Sequence, residues 1–347
     1  MARSGDLVSA PLPLASLGDG LRVTALGYGA MSLTDVYGAV DDDTAYRTLI
    51  DAVDAGIRFI DTANVYGGGR SERTIARLLR ERRDDVVIAT KFGIAGGAIG
   101  RREVRGDPAY MREQLSESLQ RLGTDHVDLY YVHRIDTRVP IEDTVGAMAD
   151  EVRAGRIRHI GLSEPTAEEL TRAHATHPIA AVQTEWSVIS RDVERSVVPT
   201  AASLGIGFVP YAPLSRGWLC DGFDESAIAP GDARPGFPRF APDMLAANRA
   251  LRAEFLDLAR AQGVTGSQLA LSWLYARADA LGIAVAPIPG SRYSAHVREW
   301  LPAVNEHPDA ETLDALDGFA ARIHGARNAR DWTSLRGEPD DTRKSVR

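Results

Sequence analysis

The sequence predicts an α/β fold in which eight parallel strands close into a (β/α)8 barrel. Short apolar strands, loops and amphipathic helices follow one another in a regular order along the chain. Predicted helices often end in glycine, the residue that closes a helix in a left-handed conformation; these are Gly56, Gly123, Gly155 and Gly205. Strands that alternate with helices pair in parallel through right-handed crossovers, and eight of them favour a closed barrel over an open sheet.

Each predicted element is a short stretch bounded by turn residues. A small hairpin over residues 13–27, with Gly18-Asp19-Gly20 at its turn, precedes the barrel. The eight strands are predicted over 23–29, 58–63, 86–91, 127–133, 157–163, 180–186, 206–212 and 284–290. The helices are predicted over 44–56, 71–82, 109–123, 141–155, 166–177, 193–205 and 267–277.

The remaining segments are assigned to loops and chain ends. Residues 221–242 are rich in Gly, Pro and Asp and are predicted to form a long loop, and residues 337–347 a disordered C-terminal tail. We expect residues 1–347 to form a single domain with its barrel core at about 21–320. An open dinucleotide-binding sheet is disfavoured, because Gly27-Tyr28-Gly29 lacks the third glycine of a G-x-G-x-x-G phosphate loop.

Composition and charge exclude several classes of function. The net charge is −8, with acidic and basic residues interspersed, so nucleic-acid and membrane-surface partners are not expected. No apolar run approaches the length of a spanning helix, and the N-terminus lacks the apolar core of a secretory signal. Cys220 is the single cysteine, which excludes an intramolecular disulfide and cysteine-based zinc sites. We expect a soluble cytoplasmic protein, a monomer or a weak homo-oligomer.

Four polar residues stand at or just after the ends of three predicted strands. Asp61 lies near the end of the second strand and Tyr66 follows it, Lys91 ends the third strand and His133 ends the fourth. Barrel enzymes place their chemistry at the carboxyl ends of the strands, so these side chains are expected to meet. Taken singly, the acid could cap a turn, the phenol could pack in a loop, the amine could be solvated and the imidazole could be a core residue. Their joint placement indicates a proton-donating site.

The chemistry of such a site follows from its residue types. A buried Lys91 near Asp61 is expected to form an ion pair, because neither charge is tolerated there alone. A cation beside the Tyr66 phenol favours phenolate and lowers the phenol pKa from about 10 towards the range of a general acid. His133 can hydrogen-bond a carbonyl substrate or tune the phenol.

Successive motifs resemble those of the aldo-keto reductase superfamily. They are RFIDTANVYGGGRSE, VVIATKFG, DHVDLYYVHR, RHIGLSE, AVQTEWS, GFVPYAPLSRGWL and PIPGSR, and together they span roughly residues 20 to 320. The sequence is most similar to the branch that contains pyridoxal reductases and related bacterial oxidoreductases. The resemblance implies that Tyr66 is the proton donor, Lys91 lowers its pKa, Asp61 holds Lys91, and His133 orients the carbonyl.

The resemblance also implies NADPH, extended across the barrel mouth without a Rossmann domain. Ser163 and Gln183 would bind the nicotinamide carboxamide, and Tyr211 would stack on its ring. The full set of implied cofactor residues is Gly29, Ala30, Ser163, Gln183, Tyr211, Leu214, Ser215, Arg216, Gly217, Ser291, Arg292, His296 and Glu299. In this set, residues 214–217 would line the pyrophosphate, and Ser291 and Arg292 would bind the 2′-phosphate. An arginine at the 2′-phosphate favours NADPH over the alternative NADH.

The sequence departs from the family pattern at several positions in or near this set. Trp300 stands where Asn is usual. Glu164 also stands where Asn is common, although Glu occurs at this position in the favoured branch. His296 stands where Arg or Gln is frequent. The changes at Trp300 and His296 bear on recognition of the adenine and the 2′-phosphate.

Residues that face a substrate are predicted from their loop positions. They are Met31, Phe92, Arg134, Trp186 and Trp218, with Arg239 and Phe240 on the long loop. An aromatic, partly apolar mouth suits an aryl or alkyl carbonyl. Arg134 and Arg239 are interpreted as solvated ion pairs, with an anionic substrate group as the alternative. The glycine-rich loop 93–108 is either a mobile lid or a plain surface connection.

The predicted function is NADPH-dependent reduction of an aldehyde or ketone to an alcohol, with no metal required. One alternative is a reductase of a specialised intermediate such as a keto-sugar. Another is a barrel that binds NADP(H) as a sensor or regulatory subunit and turns over slowly. A third is an isomerase or lyase that uses Lys91 as a Schiff base.

Overall fold

The computed structural model describes residues 11–95 and 103–328 of the protein. Its strands are β1 (Leu14–Ser16), β2 (Arg22–Thr24), β3 (Gly27–Gly29), β4 (Phe59–Asp61), β5 (Val87–Phe92), β6 (Ile94–Ala95), β7 (Glu103–Val104), β8 (Val127–Val132), β9 (Ile157–Ser163), β10 (Ala181–Gln183) and β11 (Gly207–Phe208). Its α-helices are α1 (Asp42–Asp54), α2 (Arg70–Arg82), α3 (Pro108–Leu122), α4 (Ile141–Arg153), α5 (Ala167–Thr176), α6 (Val197–Ser203), α7 (Pro242–Ala261), α8 (Gly266–Ala280), α9 (Ser294–Trp300), α10 (Ala310–Asp317) and α11 (Phe319–Arg322).

The N-terminal hairpin is confirmed. β1 pairs antiparallel with β2, and the turn between them has Asp19 at φ 53° and Gly20 at φ 75°. Two successive positive φ values suit the right-handed twist of a hairpin, which explains the Asp-Gly pair. Gly18 N–H donates to the carbonyl of Ala180 at 2.7 Å, so the hairpin is fixed against the amino end of a barrel strand.

Seven strands form one parallel sheet in the order β11-β10-β9-β8-β5-β4-β3. Residues 284–290 then close it, as predicted. Ala286 and Ile288 donate to the carbonyls of Phe208 and Pro210, both at 3.0 Å. On the other side, the carbonyls of Pro287 and Pro289 accept from the N–H groups of Gly27 and Gly29, both at 2.9 Å. The prolines lack N–H groups but need only accept at these positions, so the closing segment joins both ends of the sheet and the (β/α)8 barrel is confirmed.

Alternation along the strands separates two apolar layers. The inward layer contains Phe59, Ala89, Leu129, Tyr131, Ala181, Val209, Ala286 and Ile288, together with Leu17, Leu21 and Val23 of the hairpin. The larger layer lies between the strands and the helices. Because side chains alternate in a strand, residues two positions after an inward residue also face inward. Asp61, Lys91 and Gln183 therefore stand above the apolar floor at the carboxyl end of the barrel.

Some boundaries differ from those predicted. The predicted strand 23–29 is two elements, because Arg22–Thr24 pairs in the hairpin and Gly27–Gly29 in the barrel. The long loop 221–242 carries short 3₁₀ turns at Glu225–Ala227, Arg234–Gly236 and Pro238–Phe240. The predicted tail 337–347 and residues 96–102 of the glycine-rich loop 93–108 lie outside the described residues. That residues 1–347 form one domain stays a prediction.

Two helices begin with reciprocal caps that explain where they start. At α5, Thr166 accepts from the N–H of Glu169 while the Glu169 carboxylate accepts from the N–H of Thr166. Thr265 and Gln268 do the same at α8. Over residues 11–95 and 103–328, no helix has the length and apolarity needed to cross a membrane.

Candidate active site

A buried ion pair joins the ends of β4 and β5. Lys91 Nζ contacts Asp61 Oδ1, and the two side chains are 0% and 3% exposed. Lys91 Nζ also donates to the carbonyl of Thr62 at 2.8 Å, and Gln183 Nε2 donates to Asp61 Oδ2 at 2.8 Å. Burial lowers the pKa of Lys91 and raises the pKa of Asp61, because each loses water around its charged form, and the opposite charge offsets part of each shift. The predicted pair is present.

Lysine is rare in this chain, which makes its place here informative. It occurs only at Lys91 and Lys344, whereas all other basic residues except histidine are arginine. A buried lysine shifts its pKa readily, but arginine stays charged in proteins. The position next to Asp61 is therefore occupied by a cation whose proton affinity the surroundings can adjust.

Tyr66 and His133 complete the predicted group of four. Lys91 Nζ lies 5.2 Å from the centroid of the Tyr66 ring, and the rings of Tyr66 and His133 meet edge to face at 5.8 Å. Tyr66 lies in the turn before α2, where Gly67, Gly68 and Gly69 all have positive φ. Residues other than glycine rarely adopt a positive φ, so the three glycines permit the turn that brings the Tyr66 phenol over Lys91.

The floor beneath the ion pair is aromatic. The Tyr131 ring centroid lies 5.7 Å from Lys91 Nζ, and Tyr131 is fully buried. Gly161 on the neighbouring strand β9 leaves space for that ring, since a Cβ at Gly161 would lie 2.4 Å from Tyr131 Cε1. This packing keeps water away from one side of the Lys91–Asp61 pair.

The residues expected to hold the nicotinamide lie beside the ion pair. Ser163 ends β9, and its Oγ accepts from Arg134 Nη1 at 3.2 Å. Gln183 ends β10 and donates to Asp61, as described above. The Tyr211 hydroxyl donates to Glu164 Oε1 at 2.7 Å, and burial raises the pKa of that phenol. Hydroxyl, amide and phenol groups therefore meet at one side of the barrel mouth.

The segment expected to line the pyrophosphate forms the next part of the wall. Leu214 and Ser215 are buried, and Ser215, Arg216 and Gly217 have φ values of 50°, 56° and 91°. Arg216 Nη2 contacts Glu185 Oε2 at 2.8 Å, and its guanidinium lies 4.0 Å from the centroid of the Phe237 ring. Sequence reasoning missed Glu185, which is fully buried and fixes this arginine in place.

The residues expected at the adenosine end also lie at the mouth. Arg292 Nη1 donates to the carbonyls of Tyr37 and Gly38 at 2.7 and 2.8 Å, which holds the guanidinium over that edge of the barrel. Ser291 Oγ and His296 Nδ1 are 2.9 Å apart. Gly29 and Ala30 lie at and just after the end of β3, and a Cβ at Gly29 would lie 2.8 Å from the carbonyl oxygen of Ile288.

The departure at Trp300 has a packing explanation. Trp300 is 2% exposed and belongs to the layer between strands and helices, so it serves as a core residue. Its neighbour Glu299 accepts from Thr265 Oγ1 at 2.6 Å. That contact ties α9 to the start of α8.

The predicted substrate residues divide into two groups. Phe92 is wrongly assigned to the mouth, because alternation from Lys91 turns it outward, where it is fully buried and stacks on Tyr130. Trp186 is also fully buried, packs edge to face on Phe208, and is not at the mouth. Trp218 is only 2% exposed. Met31 and Arg134 are partly exposed and stay predictions.

The two long-loop residues predicted to face a substrate are buried as well. Phe240 is 4% exposed, and Arg239 is 8% exposed with its Nη1 donating to Ser190 Oγ at 2.9 Å. Burial lowers the pKa of Arg239 to about 10. The interpretation of Arg239 as a solvated ion pair is therefore wrong, since it is a buried part of the wall.

Arg327 is a residue of the site that the sequence patterns do not indicate. Its guanidinium contacts both oxygens of Glu164, at 2.8 and 2.7 Å, beside the Tyr211 hydroxyl. The acidic Glu164 was a signal that a cation lies nearby, but nothing local indicates one 163 residues further along the chain. Among the described residues, no cluster of three or more His, Cys, Asp or Glu could hold a metal ion.

Comparisons with known proteins agree with the observed fold. Residues 25–321 match the sequence profile of the Aldo/keto reductase family. A glycerol dehydrogenase from Gluconobacter oxydans is 26% identical with a TM-score of 0.78, over 89% of this chain and 95% of that chain. An aldo-keto reductase from Bacillus halodurans, solved in its holo form, is 26% identical with a TM-score of 0.72, over 92% and 100%. An aldo/keto reductase from Klebsiella pneumoniae, solved with NADP and acetate, has the same fold at 23% identity, with a TM-score of 0.70 over 92% and 99%.

Proposed function

The chain belongs to the aldo/keto reductase family, and we propose that it uses NADPH to reduce an aldehyde or ketone to an alcohol. The observation that carries the proposal is the convergence of Asp61, Tyr66, Lys91 and His133 at the carboxyl end of the barrel. A buried ion pair beside a phenol is the arrangement that a proton donor for a carbonyl oxygen needs.

The residues along the mouth fit the proposed cofactor. Ser163 and Gln183 offer hydroxyl and amide groups beside the ion pair, which suits a carboxamide. Arg292 presents a guanidinium held on two backbone carbonyls, which suits a phosphate and favours NADPH over NADH. NADP is the cofactor named for the Klebsiella pneumoniae structure, whose fold this chain shares.

The proposed mechanism assigns one task to each member of the group of four. When bound, NADPH supplies the hydride that the carbonyl carbon receives. Tyr66 gives its proton to the carbonyl oxygen as negative charge develops there, and positioned acids of this kind contribute rate factors of about 10² to 10⁴. Lys91, 5.2 Å from the centroid of the phenol ring, stabilises the phenolate that remains.

The surrounding residues keep that arrangement in place. Asp61 and the carbonyl of Thr62 hold the Lys91 ammonium, and Tyr131 beneath it excludes water. His133, edge-on to the Tyr66 ring, is placed to orient the carbonyl for both transfers. In a dry site, fixed charges and dipoles stabilise developing charge without reorganising.

The structure offers less support for the alternatives. A Schiff base needs a neutral amine that a substrate can reach, but Lys91 is 0% exposed and its Nζ is held by Asp61 and Thr62. A sensor needs no proton donor, yet all four residues converge. A keto-sugar reductase differs from the proposal only in its substrate.

The test is NADPH consumption by the wild-type protein against aryl aldehydes, diketones, pyridoxal and a keto-sugar, with alcohol formation measured alongside. Consumption matched by alcohol supports the reductase, and the best substrate indicates its class. Tight NADPH binding without consumption on any carbonyl would favour the sensor. Trapping of a carbonyl on Lys91 by borohydride in the absence of nicotinamide would favour the Schiff-base enzyme, and Lys344 is the only other lysine to account for.

A further inference from the structure

A carboxylate at the end of β9 joins three parts of the barrel mouth. Glu164 follows Ser163 directly, and its Oε1 accepts from the Tyr211 hydroxyl at 2.7 Å. Arg327 contacts both Glu164 oxygens in a bidentate pair, and the two side chains are only 12% and 10% exposed. The C-terminal part of the described chain is thus tied to residues that flank the proposed nicotinamide position.

The segment that carries Arg327, residues 323–328, is here called the strap. It is fixed to α7 because His324 N–H donates to Asn248 Oδ1 at 2.9 Å and Asn248 Nδ2 donates to the His324 carbonyl at 3.0 Å. Gly325 has φ 86°, and a Cβ there would lie 2.9 Å from the Cα of Arg239. The strap therefore has one close-packed path towards the mouth.

From these contacts we infer that Glu164 and Arg327 are positioning residues that hold Tyr211 and the strap against the nicotinamide end of the cofactor. The inference rests on the proposed function, and it names two residues outside the group of four. A carboxylate has no N–H to offer a carboxamide, so Glu164 instead accepts from a guanidinium and a phenol. A bidentate arginine pair fixes direction as well as distance, so the Tyr211 hydroxyl, and with it the ring, has one preferred orientation.

The neighbouring charges make this pair sensitive to substitution. Arg327 Nε also lies 3.3 Å from Asp192 Oδ2, and the N–H of Glu185 donates to Glu164 Oε1 at 3.3 Å. If Arg327 is replaced, the carboxylates of Glu164 and Asp192 both lose the positive charge that lies between them. A buried carboxylate without its cation seeks a proton or a new partner, and either change alters how it holds Tyr211.

The experiment distinguishes a loss of binding at the nicotinamide end of the cofactor from a loss at the adenosine end. Calorimetry would measure the dissociation constants of NADPH and of adenosine 2′,5′-bisphosphate, which lacks the nicotinamide, for wild type, Glu164→Gln and Arg327→Met. We expect each variant to bind NADPH at least about tenfold more weakly, and the bisphosphate within about twofold of wild type. Arg322→Met is the matched control, because Arg322 forms a bidentate pair with Glu254 near the strap but is 50% exposed.

Each outcome bears on the inference. Unchanged NADPH binding in Arg327→Met would overturn it, and so would equal weakening of both ligands, which indicates a general structural role. If a single variant does not fold, the Glu164→Gln/Arg327→Met double variant removes both charges of the bidentate pair. It should lose about as much NADPH affinity as one single variant, whereas additive losses would contradict the coupling. A wild-type protein that binds neither ligand would overturn the proposed function, and the inference with it.

Discussion

Replacing Lys91 with methionine should leave Asp61 as a buried carboxylate without its cation. The two side chains are 0% and 3% exposed, so water cannot readily take the place of the ammonium. Removing one partner of a buried ion pair costs about 3–5 kcal/mol of folding free energy. Because this pair is almost fully buried, we expect a cost near the upper end of that range. The Gln183 amide still donates to Asp61 at 2.8 Å, which offsets part of the loss.

The loss should depend on pH in a defined direction. Burial already raises the pKa of Asp61 above its ordinary value of 3.8, and removal of Lys91 raises it further. A group whose pKa is higher in the folded state stabilises the fold at low pH and loses that contribution as pH rises through the folded pKa. Lys91→Met should therefore be closer to wild type at pH 5 than at pH 8.

Urea unfolding followed by circular dichroism measures both effects. The Asp61→Asn/Lys91→Met double variant is the control, because it removes both charges and should recover most of the stability that the single variants lose. A single-variant cost below about 1 kcal/mol, or additive costs in the double variant, would refute the reasoning, since the charges would then reach water.

Three further predictions follow from individual contacts. Gly161→Ala should cost about 1–3 kcal/mol in urea unfolding, because its Cβ would lie 2.4 Å from Tyr131 Cε1, and Tyr131→Leu in the same chain should recover part of it. Burial alone would raise the pKa of Glu164, but Arg327 and the Tyr211 hydroxyl outweigh it and lower that pKa below its ordinary value of 4.5. The difference in unfolding free energy between wild type and Glu164→Gln should therefore be fully present above pH 4.5 and should shrink as pH falls. A difference that grows at low pH would contradict this. Arg292→Ala should weaken NADPH binding by about tenfold or more and NADH binding by less than about twofold, whereas equal weakening would remove its 2′-phosphate role.

The order of the barrel strands and of most helices could be predicted because it depends on local patterns, but the helix α7 (Pro242–Ala261) was not among the predicted helices. The strand predicted over 157–163 is observed as Ile157–Ser163, and alternation explains why Asp61 and Lys91 face inward together. The closing strand 284–290 could be predicted despite two prolines, because they need only accept hydrogen bonds there. The same alternation places Phe92 outside, and applying it to the residue after Lys91 would have removed Phe92 from the substrate set.

The long-range parts of the site could not be predicted from local patterns. Arg327 meets Glu164 only because the strap crosses the mouth, and Arg216 meets Glu185 inside the wall. Trp300 looks like a lost adenine contact in sequence, whereas in the structure it fills the core between strands and helices. The roles of such residues depend on how deeply they are buried and which residues they contact, and neither can be read from local sequence patterns.

The most direct test of the proposed mechanism is a single-turnover measurement on protein loaded with NADPH. Tyr66→Phe should bind NADPH like the wild type and reduce the best carbonyl at least about a hundredfold more slowly. Tyr46→Phe is the matched control, since Tyr46 stacks under Arg77 at 3.9 Å on the helical surface. A Tyr66→Phe rate close to that of the wild type would show that the phenol is not the proton donor, and lost NADPH binding would show that its role is structural.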